Sequence, residues 1–257
     1  MLPTISIATW NIHKGFSQFN RRMVVHTLRE RLRELSADIV LLQEVQGLHL
    51  QHAQTHTDWP AQPQHEFLAE GTWDNHAYGR NMVYDHGHHG NAILSRFPIL
   101  HQNNQDVTHF RFERRGLLHC ALAVPGLALP LHCVSVHLSL FSRSRRRQME
   151  ALATRIEAMV PAAAPLLIAG DFNDWRNHAQ DVLAQRLGLV EAFSAAGGAR
   201  PCRSFPASLP LFRLDRIYLR GLVPENARVL SGAPWSAMSD HAVLTTHVRS
   251  ALSHVDS

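Results

Sequence analysis

The sequence predicts an α/β domain in which one mixed sheet, or two, is covered by helices. Three observations carry this. Short apolar runs with period-two alternation recur from Ile5 to Val248, stretches of helical periodicity stand between some of them, and other runs follow one another at hairpin distance.

Ile5, Ile7 and Thr9 alternate with Ser6, Ala8 and Trp10, a strand that ends near Asn11. Over residues 21–35 the period changes: Val24, Val25, Leu28, Leu32 and Leu35 recur at helical spacing while Arg29, Arg31, Arg33 and Glu34 face away. Asp38 to Gln43 is a short apolar run closed by Glu44, and Asn91 to Ser95, Leu117 to Val124 and Leu131 to Leu138 are further strands. Residues 46–90 are polar, His-rich and weakly patterned, so a helix plus a rim loop is expected there rather than wholly irregular chain. Arg146 to Val160 places Met149, Leu152, Ile156, Met159 and Val160 on one stripe, a helix that Pro161 stops. Leu166 to Ala169 is a strand entering a turn at Gly170. Ala179 to Leu187 is a helix ended by Gly188, and residues 216–219, 228–230 and 242–248 are the closing strands.

With 257 residues, 45% of them apolar, and no Pro/Gly/Ser-rich linker, one domain over residues 1–250 with a tail at 251–257 is expected. The formal charge of +4 and 19 histidines favour anionic partners, nucleic acid or anionic lipid headgroups. Arg143, Arg145, Arg146 and Arg147 suit a solvated first helical turn better than a phosphate-contacting edge. Cys120, Cys133 and Cys202 fit neither a disulfide framework nor a zinc spacing, so buried free thiols are expected. No signal-peptide pattern and no apolar run long enough for a membrane span is present, and a soluble, cytoplasmic monomer is expected.

Five polar signatures stand at the rims of apolar runs: Thr9-Trp10-Asn11, Gln43-Glu44, Gly170-Asp171-Phe172-Asn173, Leu214-Asp215-Arg216 and Ser239-Asp240-His241. Strand ends expose side chains toward a common crevice, and these residues suit metal-assisted phosphoester hydrolysis, which needs charge neutralised on phosphate oxygens and a nucleophile made from water. Mg²⁺ takes oxygen ligands and keeps several waters, so the Glu44 carboxylate with the Asn11 amide oxygen suffices. Asp171 is suited to orient and deprotonate water while Asn173 donates to phosphate; an Asx turn is the competing structural reading. His241 needs an orienting partner, for which Asp215 is suited, leaving Asp240 for metal or water. Four carboxylates in one pocket would repel one another without a compensating cation. His86, His88 and His89 flank glycines in what reads as a solvated loop that takes up metal only adventitiously.

These blocks, with Gly90-Asn91-Ala92-Ile93-Leu94-Ser95 and Val136-His137-Leu138, stand in an order that resembles the endonuclease/exonuclease/phosphatase family over nearly the whole chain. That family includes pancreatic-type deoxyribonucleases, abasic-site endonucleases, neutral sphingomyelinases and inositol polyphosphate phosphatases. The resemblance implies a four-layered α/β sandwich, two mixed sheets packed face to face with helices on the outer faces, and an active site at one end. It implies Asn11 and Glu44 at the metal, Asp171 on the attacking water, Asn173 on phosphate, His241 oriented by Asp215, and Asp240 beside the metal. It also implies phosphate or leaving-oxygen contact for His137, with Glu70 as a candidate acidic partner and Asn91 as a further candidate site residue. Arg114 to Leu118, Ser204 to Ala207 and Arg213 to Tyr218 are similar to uncharacterised bacterial members encoded near cardiolipin synthases, which points to no settled substrate. The expected function is a Mg²⁺- or Mn²⁺-dependent phosphodiester hydrolase, nuclease-like in the first place. A phospholipid or other small phosphoester phosphodiesterase or phosphatase is the alternative, and a non-catalytic module binding anionic ligands is the alternative of another class.

Overall fold

The computed structural model describes residues 4–110, 112–176, 178–197 and 202–251. In chain order the first half holds β1 (Ile5–Asn11), α1 (Val25–Leu35), β2 (Ile39–His49), α2 (Leu50–Thr55), α3 (Gln64–Ala69), β3 (Asn75–Tyr84), β4 (Gly87–Ser95), β5 (Ile99–Asp106) and β6 (Gly116–Leu122). The second half holds β7 (Leu131–His137), α4 (Ser142–Met159), β8 (Leu166–Asp171), α5 (His178–Leu187), β9 (Val190–Glu191), α6 (Ala192–Ala195), β10 (Asp215–Arg220), β11 (Leu222–Leu230) and β12 (Val243–Ser250).

The strands form two six-stranded mixed sheets, ordered β11-β12-β1-β2-β4-β3 and β5-β6-β7-β8-β10-β9. Each sheet has one parallel pair, β1 with β2 and β7 with β8, and each of these pairs is joined by a long crossover helix, α1 or α4. Side-chain alternation then dictates the layers. Ile5, Ile7, Ile39 and Leu41 meet Cys133, Leu167, Ala169 and Ile217 of the facing sheet in one buried cluster. The intervening residues Ala8, Trp10, Val40 and Leu42 pack on Leu28 and Leu32 of α1. Val134, Val136 and Ile168 do the same against Leu152 and Ile156 of α4 and Leu183 of α5. Strands buried on both faces read as continuous apolar runs, which is why these were legible in the sequence. Each such side chain contributes about 2 kcal/mol of burial. The result is the four-layered sandwich.

Three expectations are corrected. Residues 46–90 hold the end of β2, two short helices and the β3–β4 hairpin instead of one helix and a rim loop, so His88 and His89 lie in a strand and not in a solvated loop. Strand β5 escaped the pattern altogether. Both β3 and β5 are edge strands, paired on one side only and half exposed, so they carry no apolar run. Helix α4 begins a turn earlier than its apolar stripe, and of the four arginines in that stretch Arg145 is buried, not solvated. Cys120 and Cys133 are buried free thiols and Cys202 is a half-buried one. Of the expected C-terminal tail, residues 252–257 lie outside the described residues.

Trp10 links the core to the crevice end of the sandwich, since its fully buried indole donates from Nε1 to the His241 carbonyl at 2.9 Å. Trp10→Phe keeps most of the ring and leaves that carbonyl unpartnered. A loss of about 2 kcal/mol in urea unfolding is expected.

Candidate active site

Register sets the first half of the site. Strands β7, β8 and β10 are neighbours, and their pairing aligns His137 with Asp171 and Asp171 with Asp215. The C-terminal ends of β7 and β8 and the N-terminal end of β10 thus place two carboxylates and an imidazole in one row. Gly170 is required for it: its φ is +140°, and a Cβ there would meet the Val136 carbonyl oxygen at 2.1 Å. Beyond Asp171 the chain turns. Asp171 Oδ1 accepts from the Asn173 backbone N–H at 2.9 Å, Asn173 has a φ of +51°, and its Nδ2 donates to the Leu138 carbonyl at 2.9 Å. The Asx turn is therefore real, and it coexists with Asn173 lining the cavity.

The other sheet supplies Asn11 and Glu44. Glu44 sits where the β2–β4 register slips, with a φ of +55°, a bulge that turns its carboxylate out of the ladder and into the crevice. Asn11 Nδ2 donates across the gap between sheets to Asp171 Oδ2 at 3.3 Å, while its Oδ1 accepts from the His13 backbone N–H at 3.1 Å. Ser239 fastens the last segment: its hydroxyl donates to the Asn11 carbonyl at 2.6 Å and accepts from the His241 N–H at 3.1 Å. His241 Nδ1 then lies 2.9 Å from Asp215 Oδ2, and its Nε2 lies 3.8 Å from Asp171 Oδ2.

Charge and burial act in opposition here. Burial raises the Asp171 pKa well above the ordinary carboxylate range, and the Asp215 charge adds to that while His241 opposes it. Burial alone would depress His241, but the Asp215 and Asp171 carboxylates outweigh it and push the imidazole up to about 10. His137, by contrast, is driven well below the usual imidazole value by burial and by the Arg115 charge, so its ring is neutral, with Nε2 3.5 Å from Asp171 Oδ2. Burial opposes ionisation of Glu44 too, yet Lys14 first, then His89, His13 and His241, hold it below its ordinary value.

Asn11, Glu44, His137, Asp171, Asn173, Asp240 and His241 line one cavity of about 470 Å³, and Asp215 stands behind His241. Two candidates lie elsewhere. Glu70 is bound by Arg29 Nη2 at 2.8 Å beside a separate surface hollow, and the carboxylate nearest His137 is Asp171 instead. Asn91 is a tie between sheets: its Nδ2 donates to the Gly116 and Ser135 carbonyls at 3.1 and 3.2 Å. Sequence reasoning missed three basic side chains. Lys14 Nζ is 3.8 Å from Glu44 and His13 Nδ1 is 3.7 Å from Asp240. Arg115 lines the cavity, held by Glu113 at 3.1 Å. The Asn11-Ile12-His13-Lys14-Gly15 run, directly after a site residue, was the available signal for the first two.

The donor set fits a hard divalent cation, because Glu44, Asp240 and Asp171 offer carboxylate oxygens to one cavity and Lys14 and His13 already lie against two of them. Donor atoms of Asp171, Asp215 and His241 also fall within 4.8 Å of one another, a spacing that would suit an ion. That trio is the poorer choice, since an imidazolium held by two carboxylates has no lone pair to give.

The Asp215 and His241 pair has a defined pH signature. The raised His241 pKa means that its stabilisation is complete below the unfolded value of 6.5 and is lost as pH rises through about 10. In Asp215→Asn the imidazole loses the largest influence that raises it, and the His241 ring resonance in NMR is expected to titrate well below 10, with a loss at neutral pH of about 3 kcal/mol.

The sequence pattern of the Endonuclease/Exonuclease/phosphatase family matches residues 8–241. The chain is 44% identical over 245 residues, 95% of its length and 96% of the relative's, to the uncharacterized protein YbhP of Escherichia coli K12. It superposes at a TM-score of 0.77 and 20% identity on an endonuclease/exonuclease/phosphatase from Beutenbergia cavernae, covering 96% of this chain and 72% of that one. Its TM-score is 0.69, again at 20% identity, to D. rerio TDP2 complexed with a single strand DNA product, with 96% and 99% covered. With the family pattern spanning both sheets and every crevice segment from Asn11 to His241, the chain belongs to the endonuclease/exonuclease/phosphatase family, whose members generally hydrolyse phosphoester bonds.

Proposed function

We propose that the protein is a divalent-cation-dependent phosphodiester hydrolase, Mg²⁺ or Mn²⁺ serving as the ion. The observation that carries this reading is the convergence of Glu44, Asn11, Asp171, Asn173, Asp240 and His241 on one cavity from both sheets. Glu44 and Asp240, with the Asn11 amide oxygen, are the residues suited to hold the cation. When bound, it supplies charge neutralisation at the phosphate and at the leaving oxygen.

The chain's own residues account for the rest. Asp171 orients water and takes its proton as the water oxygen bonds to phosphorus; the ester P–O bond breaks and the leaving alcohol oxygen takes up a proton from bulk water. A carboxylate whose pKa is raised toward neutrality is the stronger base for this step. Asn11 Nδ2 fixes the Asp171 carboxylate from the facing sheet. The His241 imidazolium, oriented by Asp215, and the cavity-lining Asn173 amide serve the non-bridging oxygens. His137, neutral and on the same row, is placed to donate a hydrogen bond to the leaving oxygen.

The single strand DNA product held by D. rerio TDP2 is a phosphodiester of the kind this site suits. The net charge of +4 that points to nucleic acid serves an anionic lipid headgroup equally well.

Turnover of bis-p-nitrophenyl phosphate by purified protein tests the reading. Exhaustive chelation is expected to abolish it and Mg²⁺ or Mn²⁺ to restore it; full activity in excess EDTA would overturn the proposal. Asp171→Ala is expected to lower kcat about a hundredfold or more. Lys14→Met should weaken the apparent affinity for substrate while leaving the unfolding midpoint in place, since its ammonium is partly exposed.

A further inference from the structure

The mouth of the cavity is framed by loops that hold large apolar side chains out in water. The hairpin over residues 204–213 is closed by the Leu211 and Phe212 N–H groups donating to the Phe205 carbonyl at 2.8 and 2.7 Å, and its tip raises Leu209, 65% exposed, beside exposed Leu211. Its base is fixed to the site: the Ala207 N–H donates to the Asp240 carbonyl at 2.6 Å, and the Phe205 ring lies 5.0 Å from that of His241. Across the opening, Leu140 lines the cavity and Phe141, 60% exposed, meets Phe110 edge to face at 5.6 Å. Phe112 is 81% exposed on the adjoining loop, which Glu113 ties to the first by accepting the Leu140 N–H at 3.0 Å. Half-exposed Trp175 completes the rim, stacked under the buried Arg145 guanidinium at 5.0 Å.

Single exposed apolar residues are ordinary, but several gathered on the loops that contribute the lining of one opening mark an interaction surface. Its charge is one-sided. Arg114, Arg143, Arg146 and Arg203 are exposed on the same loops and the first turn of α4, whereas Glu113 is turned inward onto Arg115 and the Ser139 hydroxyl. Such a surface combines apolar insertion with attraction for phosphates, the two terms that hold peripheral proteins on anionic bilayers. The rings of Phe112, Phe141 and Trp175 would also serve a single strand by stacking on its bases, but the aliphatic Leu140, Leu209 and Leu211 have no ring face to offer, so a bilayer accounts for more of this apolar collar.

We propose that this collar docks the protein on an anionic phospholipid bilayer. Leu209, Phe112 and Phe141 enter the boundary between headgroups and acyl chains, and the arginines lie in the phosphate layer. The phosphodiester presented to the cavity is then that of a phospholipid. This substrate assignment rests on the phosphodiesterase reading above; the docking surface does not.

Flotation with vesicles of phosphatidylglycerol and phosphatidylethanolamine, in EDTA so that no turnover intervenes, tests the docking, with phosphatidylcholine vesicles as the control. Wild type is expected to float with the anionic vesicles and to do so far less with the control. Phe112→Glu/Phe141→Glu/Leu209→Glu, outside the cavity lining, is expected to lose about tenfold or more in affinity at low and high salt, and Arg143→Glu/Arg146→Glu to lose as much at low salt. Turnover of bis-p-nitrophenyl phosphate by the triple variant should match wild type, which confirms that it folds. Equal flotation of wild type and triple variant, or no preference for anionic vesicles, overturns the proposal. So does a wild-type dimer in light scattering that the triple variant disperses without any vesicle binding, or a loss of single-stranded DNA binding with vesicle binding unchanged. Vesicle binding by a protein that hydrolyses no diester supports the docking and sinks only the phosphodiesterase reading and the substrate assignment built on it.

Discussion

Two carboxylates, Asp171 and Asp215, face each other across a pair of antiparallel strands at the end of the sandwich, both nearly without solvent. Like charges so placed repel, and desolvation compounds the cost. The His241 imidazolium between them is what makes the arrangement stable, and much of the surrounding structure serves to hold it there. Ser239 takes its N–H, Trp10 donates to its carbonyl, and Phe205 packs on its ring. The fold and the proposed chemistry share this interaction: the charge that holds the two acids together is the one the proposal assigns to a phosphate.

The backbone around the cavity is strained in a consistent way. His13, Lys14, Glu44 and Asn173 all have φ between +45° and +59°, a region that L-residues other than Gly enter at a cost. Each is held there by its neighbours: His13 by the Asn11 side chain, Lys14 by the Gln64 amide donating to its carbonyl, Glu44 by the bulge in β2, Asn173 by Asp171 and the Leu138 carbonyl. The sheets provide the rigidity that sustains these conformations. They are also why the side chains leave the strand direction and meet over one opening.

Much of this was legible in the sequence, and the reason is physical. Strands buried on both faces, such as β1, β7 and β8, leave apolar runs whose polar ends are visible as motifs, and α1 and α4 carry one-sided stripes. The edge strands β3 and β5 left no such trace, and the histidines of β4 were mistaken for a loop because that strand is polar along half its length. Glu70 is only a candidate for His137 in the sequence, and in the structure Arg29 binds it. Arg115 and the apolar collar belong to segments distant in sequence that meet only in the folded chain. Phe112, Phe141 and Leu209 are single exposed residues in three distant loops, and no window of sequence contains their sum.

The hydrogen bond from Trp10 to His241 spans 231 residues, and that from Ser239 to Asn11 spans 228. Strand β1 is moreover sandwiched between β2 and β12, so it lacks one lateral neighbour until the far end of the sequence has been translated. A nascent polypeptide therefore carries the Asp171 and Asp215 carboxylates before the His241 imidazole that reconciles them. On the ribosome the two facing acids stay without their shared cation, and the crevice takes its final form only when the closing strand docks.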